Sequence, residues 1–184
     1  DRIGGTGRAI DVWREVLNIK PGHSKAIRVL RDLYAEAGDW GALEELFAEG
    51  ENWQEFVDTL HRAADRTKDK EIKVKLFFKI ADVWKHRLEK PDRAVKAYER
   101  VLGVESENLE AAQELVPIYI QGKKWPRLLT TYEVLLRHAE ELGEKLELLS
   151  KIWELCEQKL GSKVDAFHWC AKAYKLAPDH KEIE

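Results

Sequence analysis

The chain has 184 residues, of which 44% are hydrophobic and 35% charged, with a formal net charge of −3; this balance suits a folded, helix-rich protein and excludes intrinsic disorder. Its 11 glycines and 5 prolines are too few for a many-turned β domain, and the near-neutral charge gives no global pull toward nucleic acid or an acidic membrane. No apolar run reaches the roughly 18 residues of a membrane span, and two cysteines, Cys156 and Cys170, cannot build a disulfide framework, which fits a reducing, cytoplasmic setting.

In chain order, Gly4-Gly5-Thr6-Gly7 predicts an inter-helix turn in which glycine supplies left-handed backbone angles. It lacks the Lys-Ser/Thr ending and the preceding strand of a phosphate loop. A helix carrying Ala9 and Trp13 follows and stops at Pro21-Gly22. Ile27, Leu30, Arg31 and Tyr34 recur at helical spacing, break at Gly38-Asp39, and resume with Trp40, Leu43 and Phe47. Gly50-Glu51-Asn52 offers the next break, with Trp53 opening another segment. Phe77, Ile80, Ala81 and Trp84 form the following stripe, then Pro91-Asp92 precedes Ala94 and Tyr98. The pattern continues through Ala112, Leu115, Val116 and Tyr119 to Gly122, and through Leu128 and Tyr132 to Gly143. Leu149, Ile152, Trp153 and Cys156 lead to Gly161-Ser162, then Ala166, Cys170 and Pro178. This reads as about ten helices joined by short turns, paired into hairpins.

The chain also repeats itself. A shift of 72 residues lays Trp53 on Trp125, Thr59 on Thr131, Leu76 on Leu148, Leu88 on Leu160 and Ala94 on Ala166. A shift of 85 lays Arg8-Ala9 on Arg93-Ala94, Leu33-Tyr34 on Ile118-Tyr119 and Trp40 on Trp125. The 13-residue difference means that Trp40 and Trp53 compete for one slot, and it places an irregular insertion near residues 41–53.

A large residue, a Leu or Ile, a small residue and an aromatic in one helix, then Ala and an aromatic in the next, resembles the tetratricopeptide-repeat superfamily over nearly the whole chain. Arg31 and Trp153 stand where that pattern has a small residue, and the turn from Leu88 to Ala94 is a residue longer than usual. The resemblance implies an all-α, right-handed α-α superhelix of about five hairpins, a single solenoid segment over residues 1–184. The ends align with mid-repeat positions, Ile3 to Ala9 with Leu88 to Ala94, and Pro178 to Glu184 with the opening of a further hairpin; the chain is expected to be an excerpt of a longer array.

No catalytic constellation emerges. Cys156, His168 and Cys170 lack the spacing of a zinc site, and both cysteines fall in slots that elsewhere hold aromatics. Trp153 is oversized for its own slot, so a volume exchange within one hairpin accounts for all three residues. The remaining histidines are scattered singly, and no nucleophile is patterned with a base. Trp40, Trp53 and Trp125 are expected to begin helices, Trp13 and Trp84 to lie in the core, and Trp169 to be partly exposed. The reading calls for no cofactor, no metal and no enzymatic activity.

The resemblance further implies that the first helix of each hairpin lines a concave groove, with its outward stripe facing a partner. That stripe is Lys25, Arg28, Asp32 and Ala35 in one hairpin and Lys75, Phe78, Asp82 and Lys85 in the next. It continues as Glu110, Gln113, Pro117 and Ile120, then Glu147, Ser150, Glu154 and Glu157. The lining passes from mixed-basic through uncharged to acidic, which suits a scaffold that holds a peptide or helix. The Asn slots of a carboxylate clamp hold Asp32, Asp82, Pro117 and Glu154, which argues against that mode. From Glu36 to Leu60 there are eight acids and no Lys or Arg, whereas Lys68 to Arg100 holds eleven Lys/Arg against six acids. The basic stretch keeps an RNA-processing type of helical scaffold as an alternative, and a purely architectural spacer or self-assembling module is the other.

Overall fold

The computed structural model describes residues 2–50 and 52–178, with side chains from residue 5 onward. The described residues form ten α-helices and one π-helical segment, with no strand among them. The predicted opening of a further hairpin at 179–184, and Glu51 in the predicted break, lie outside the described residues. No helix among the described residues is long and apolar enough to cross a membrane. The helices are α1 (Arg2–Ile19), α2 (Ser24–Ala37), α3 (Trp40–Glu49), α4 (Trp53–Arg66), α5 (Lys70–Asp82, continued by the π segment Val83–Arg87), α6 (Pro91–Val104), α7 (Leu109–Gln121), α8 (Trp125–His138), α9 (Leu142–Gln158) and α10 (Lys163–Leu176). They fall into two compact units, residues 1–89 and 90–184. Within each unit every helix packs on the next in the chain, the arrangement of successive antiparallel hairpins.

Local chemistry sets the boundaries. His23, Asp39, Asp69, Asn108 and Ser162 cap α2, α3, α5, α7 and α10, each side chain accepting a backbone N–H of the first turn. Pro91 and Pro126 occupy first-turn positions of α6 and α8, where a missing N–H costs nothing. The tryptophans open helices as the spacing predicts: α3 begins at Trp40, α4 at Trp53 and α8 at Trp125. Helix α2 ends on Gly38 at φ 71°, with its N–H closing on the last turn. Because an L side chain is disfavoured there by about 1–2 kcal/mol, Gly38→Ala is expected to lower stability by about 1 kcal/mol, measurable by urea denaturation.

One expectation is corrected. Gly4-Gly5-Thr6-Gly7 is not a turn; these residues form part of the first turns of α1. Glycine tolerates helical angles at a cost of about 1 kcal/mol each relative to alanine, and continuing the helix satisfies the backbone locally.

The predicted stripe forms the cores of both units. In unit 1, Leu30, Tyr34, Leu43, Phe47, Phe77, Ile80, Ala81 and Trp84 are buried; in unit 2, Ala94, Tyr98, Ala112, Leu115, Tyr119, Leu128, Tyr132, Leu149, Ile152 and Cys156 are. Trp13 departs from expectation, being half-buried with Lys25 over its ring at 5.7 Å. Trp169 is half-buried, as expected. Both thiols are free; Cys156 is buried and Cys170 half-buried. Trp153 packs against the cluster of Leu146, Leu149 and Ala173.

The 72-residue register reappears as geometry. Helices α4 and α8 are both 14 residues long, as are α6 and α10. Thr59 and Thr131 are both buried, and each hydroxyl donates to the carbonyl four residues back at 2.8 Å. The extra residue read in the turn after Leu88 is accommodated by the π segment, where Leu88 N–H reaches the Val83 carbonyl five residues back at 2.9 Å. Its register partner Leu160 makes the same five-residue bond to Leu155 at 3.0 Å. In this register α3 falls on residues 112–121, within α7.

Candidate partner-binding site

The predicted outward stripe is solvent-facing in both units. Lys25, Arg28 and Asp32 are exposed on α2; Lys75 and Asp82 are exposed on α5, with Phe78 and, in the π segment, Lys85 half-buried. In unit 2, Gln113, Pro117 and Ile120 are exposed on α7, and Glu147, Glu154 and Glu157 on α9, with Ser150 half-buried. Several of these residues are already engaged within their own unit. Lys25 lies over Trp13, Asp82 pairs with His86 at 3.7 Å, and Glu147 pairs with Lys151 at 2.5 Å. The Ser150 hydroxyl donates to the Glu147 carbonyl at 2.8 Å.

A groove in unit 1 has different walls. It encloses about 880 Å³ between α2, α4 and the start of α5. Only Asp32 of the predicted site residues lines it, with Ala35 of the same stripe beside it. Helix α2 contributes Asp32 and Glu36, one turn apart on one face, while α4 contributes Arg62 and Arg66 at the same spacing. Between them the surface is small or apolar, with Ala35, Ala63, Trp40, Ile72 and Leu76. Arg31 spans the groove to Glu55 and ties α2 to α4 at one end. Arg31 also lies over the Phe47 ring at 5.6 Å, which fixes the guanidinium in place. Arg62 is held by its own helix, through the Asp58 carbonyl at 3.4 Å and the Thr59 hydroxyl at 3.1 Å. Among the described residues, Asp32, Glu36 and Arg66 form no ion pair. The groove thus offers two charged rails beside a small and apolar floor.

The part of the sequence that hid this groove is the segment around α3. The acid-rich stretch 36–60 and the basic stretch 68–100 are joined within unit 1 by Lys79 pairing with Glu44. The contact that positions α4 beside α2 joins residues 24 apart in the chain, a pairing no local pattern announces.

Unit 2 carries a counterpart with inverted charge. Residue 127 is the register partner of 55, and Arg127 on α8 pairs with Glu99 on α6 just as Glu55 on α4 pairs with Arg31 on α2. Glu99 also accepts the Tyr119 hydroxyl at 2.8 Å, and the Tyr98 hydroxyl donates to Glu114 at 3.3 Å. Burial, followed by the hydrogen bond to the Glu99 carboxylate, pushes the Tyr119 phenol up to about 12. An unfolded chain releases this proton near pH 10, whereas the folded chain keeps it to about pH 12. The stabilisation is therefore complete below pH 10 and is lost as the pH rises from about 10 to 12. Burial also pushes the Tyr132 phenol up, so ultraviolet titration of tyrosinate should show late-titrating tyrosines, and Tyr119→Phe should remove the one near pH 12.

The other titratable features are structural. Arg137 and His138 clasp Glu107 at 2.7 and 3.1 Å, and the Arg137 hydrogen bond holds the Glu107 carboxyl below its usual range. Burial pushes the Cys156 thiol up, which suits an inert core sulfur. Among the described residues no group of three or more His, Cys, Asp or Glu could hold a metal ion.

Consecutive antiparallel hairpins with a small-and-aromatic core stripe define a tetratricopeptide-like, all-α repeat fold. No family model matches the chain, and no curated protein is similar to it. Among solved structures, PilF of Pseudomonas aeruginosa is similar at 16% identity over 99% of this chain and 89% of its own, with a TM-score of 0.43. YrrB, described as a TPR protein with an unusual peptide-binding site, is similar at 15% identity over 99% of this chain and 83% of its own, with a TM-score of 0.40.

Proposed function

We propose that this chain is a protein-interaction scaffold that holds a peptide or helix of a partner in the groove between α2, α4 and α5. The observation that carries the reading is the pair of oppositely charged rails, Asp32 and Glu36 against Arg62 and Arg66, flanking a floor of small and apolar side chains. A segment lying there would bury an apolar edge and match charge on both sides, so the groove would select both sequence and direction. The exposed Lys25, Arg28, Lys75 and Asp82 and the half-buried Phe78 and Lys85 are proposed as outlying contacts of the same partner. In unit 2, Gln113, Pro117, Ile120, Glu147, Ser150, Glu154 and Glu157 are proposed to contribute a second contact surface. The role is binding rather than catalysis, and free thiols at Cys156 and Cys170 suit a cytoplasmic setting.

The test is selection of binders from a random displayed-peptide library, followed by charge reversal. Arg62→Glu with Arg66→Glu is expected to weaken selected peptides by about tenfold or more. Adding Asp32→Lys and Glu36→Lys should favour peptides whose charges run the opposite way. Selected binders that tolerate all four substitutions would overturn the reading.

A further inference from the structure

A further cavity in unit 1 lies between α1, α2 and α3 and encloses about 590 Å³. It shares no lining residue with the groove between α2, α4 and α5. Leu17, Ile27, Leu30 and Leu46 give it apolar walls, and the exposed Arg14, Glu45 and Glu49 stand at its edge. An apolar chamber of this size with a few polar groups has the make-up of a small-molecule site.

Tyr34 also lines this cavity, and the residue is only 3% exposed. Among the described residues its hydroxyl meets no hydrogen-bond partner, yet no side-chain N or O sealed from solvent lacks one. The hydroxyl of this otherwise buried ring therefore reaches solvent, and the cavity is where the ring comes to the surface.

The internal repeat indicates what is missing there. At the shift of 85 residues α1 corresponds to α6, α2 to α7 and α3 to α8: α1 and α6 end at Ile19 and Val104, and α3 and α8 begin at Trp40 and Trp125. Tyr34 then falls on Tyr119, Arg14 on Glu99 and Ala42 on Arg127. In unit 2 the Glu99 carboxylate accepts the Tyr119 hydroxyl at 2.8 Å and pairs with Arg127. The equivalent place is thus closed by side chains of the same three helices. In unit 1 a guanidinium replaces that carboxylate, and Ala42 lacks the side chain that reached across from the third helix.

Two donors remain in unit 1, the Tyr34 hydroxyl and the Arg14 guanidinium, which lies over the Tyr34 ring at 5.7 Å. The acceptor that Glu99 provides in unit 2 has no equivalent. Glu45 does not supply it, since it comes no nearer Arg14 than 4.0 Å and both side chains are more than half exposed. Glu45 and Glu49, one turn apart at the edge, repel a second negative charge on any occupant. We propose that this cavity binds a free monocarboxylate with an apolar body, its carboxylate taking the Tyr34 hydroxyl and the Arg14 guanidinium and its body lying on Leu17, Ile27, Leu30 and Leu46. The site is separate from the groove, and either can fail without the other.

The probe is octanoate, titrated against the whole chain by calorimetry and compared with octylammonium, which has the same tail and the opposite charge. Octanoate is expected to bind saturably, one per chain, and at least about tenfold more tightly than octylammonium. Tyr34→Phe should weaken octanoate by about tenfold with an unchanged melting temperature, because the hydroxyl bonds nothing else in the protein. Arg14→Leu should weaken it by at least as much. Arg14→Glu with Ala42→Arg, which copies the pair of unit 2, should abolish octanoate binding without lowering the melting temperature. Equal affinity for the two probes, no binding of either, or octanoate binding that survives Tyr34→Phe and Arg14→Leu overturns the proposal. A Glu-bearing amphipathic peptide that binds through Tyr34 and Arg14 when octanoate does not would assign the carboxylate to a partner protein, and overturns the proposal too.

Discussion

Phe56→Ala is expected to lower the unfolding free energy by about 3–5 kcal/mol, the range for removing a fully buried aromatic ring. Phe56 has no exposed surface and sits at the junction of α3 and α4, 5.4 Å from the Phe47 ring and 6.1 Å from the Trp53 ring. The lost ring forfeits transfer free energy and leaves a cavity beside the Phe47 and Trp53 rings, whose close-packed surroundings limit collapse. Because α4 forms one wall of the groove, the variant should also bind selected peptides poorly. Equilibrium urea denaturation gives the free energy, and amide exchange should speed most in α3, α4 and α5. Phe56→Leu, which keeps most of the volume, should recover more than half of the loss.

Leu149→Ala is the second large effect, with an expected cost of about 2–5 kcal/mol. Leu149 is fully buried among Leu146 and Ala173, with Trp153 and Trp169 packed on the cluster. Helix α10 is attached through small residues, chiefly Ala166 and Ala173, so it depends on α9 for nearly all the apolar contact it makes. Removing Leu149 takes the largest fully buried side chain out of that cluster. Amide protection should therefore fall first in α10, before the rest of unit 2, and a loss spread evenly over unit 2 would contradict this picture. Ile152→Val, which deletes one methyl group from an equally buried neighbour, should cost only about 0.5–1.5 kcal/mol.

The helices and their cores were legible because both follow from local spacing. Apolar residues at three- and four-residue intervals, punctuated by Gly38, Pro91 and Gly161, mark segments whose stripes are buried in the structure. The tryptophans at 40, 53 and 125 marked helix starts, and the shift of 72 residues identified α4 with α8 down to the threonine that bonds back into each helix. The turn at Gly4–Gly7 misled because glycine composition signals conformational freedom without specifying which conformation is used.

The groove was far less legible. The outward stripe of α2 could be placed by helical phase, and Asp32 does line the groove. Its opposite wall comes from α4, and that pairing depends on where α3 leaves the chain, on Arg31 meeting Glu55, and on Glu44 meeting Lys79. Arg62 and Arg66 carried one available signal, two arginines one turn apart at the end of a stretch otherwise rich in acids. Phase alone could not say that they face Asp32 and Glu36. The cavity beside Tyr34 was similarly hidden, since the shift of 85 residues lays Arg14 on Glu99 and Ala42 on Arg127 but only the structure shows that Glu99 and Arg127 meet.

The most direct test of the scaffold reading is amide chemical-shift mapping of the 21.4 kDa chain with a library-selected peptide. The largest shifts are expected at Asp32, Ala35, Thr59, Arg62, Ala63 and Arg66, with Arg62→Glu/Arg66→Glu abolishing them. Saturable binding that leaves α2 and α4 unperturbed would contradict the groove as the site where this protein holds its partner.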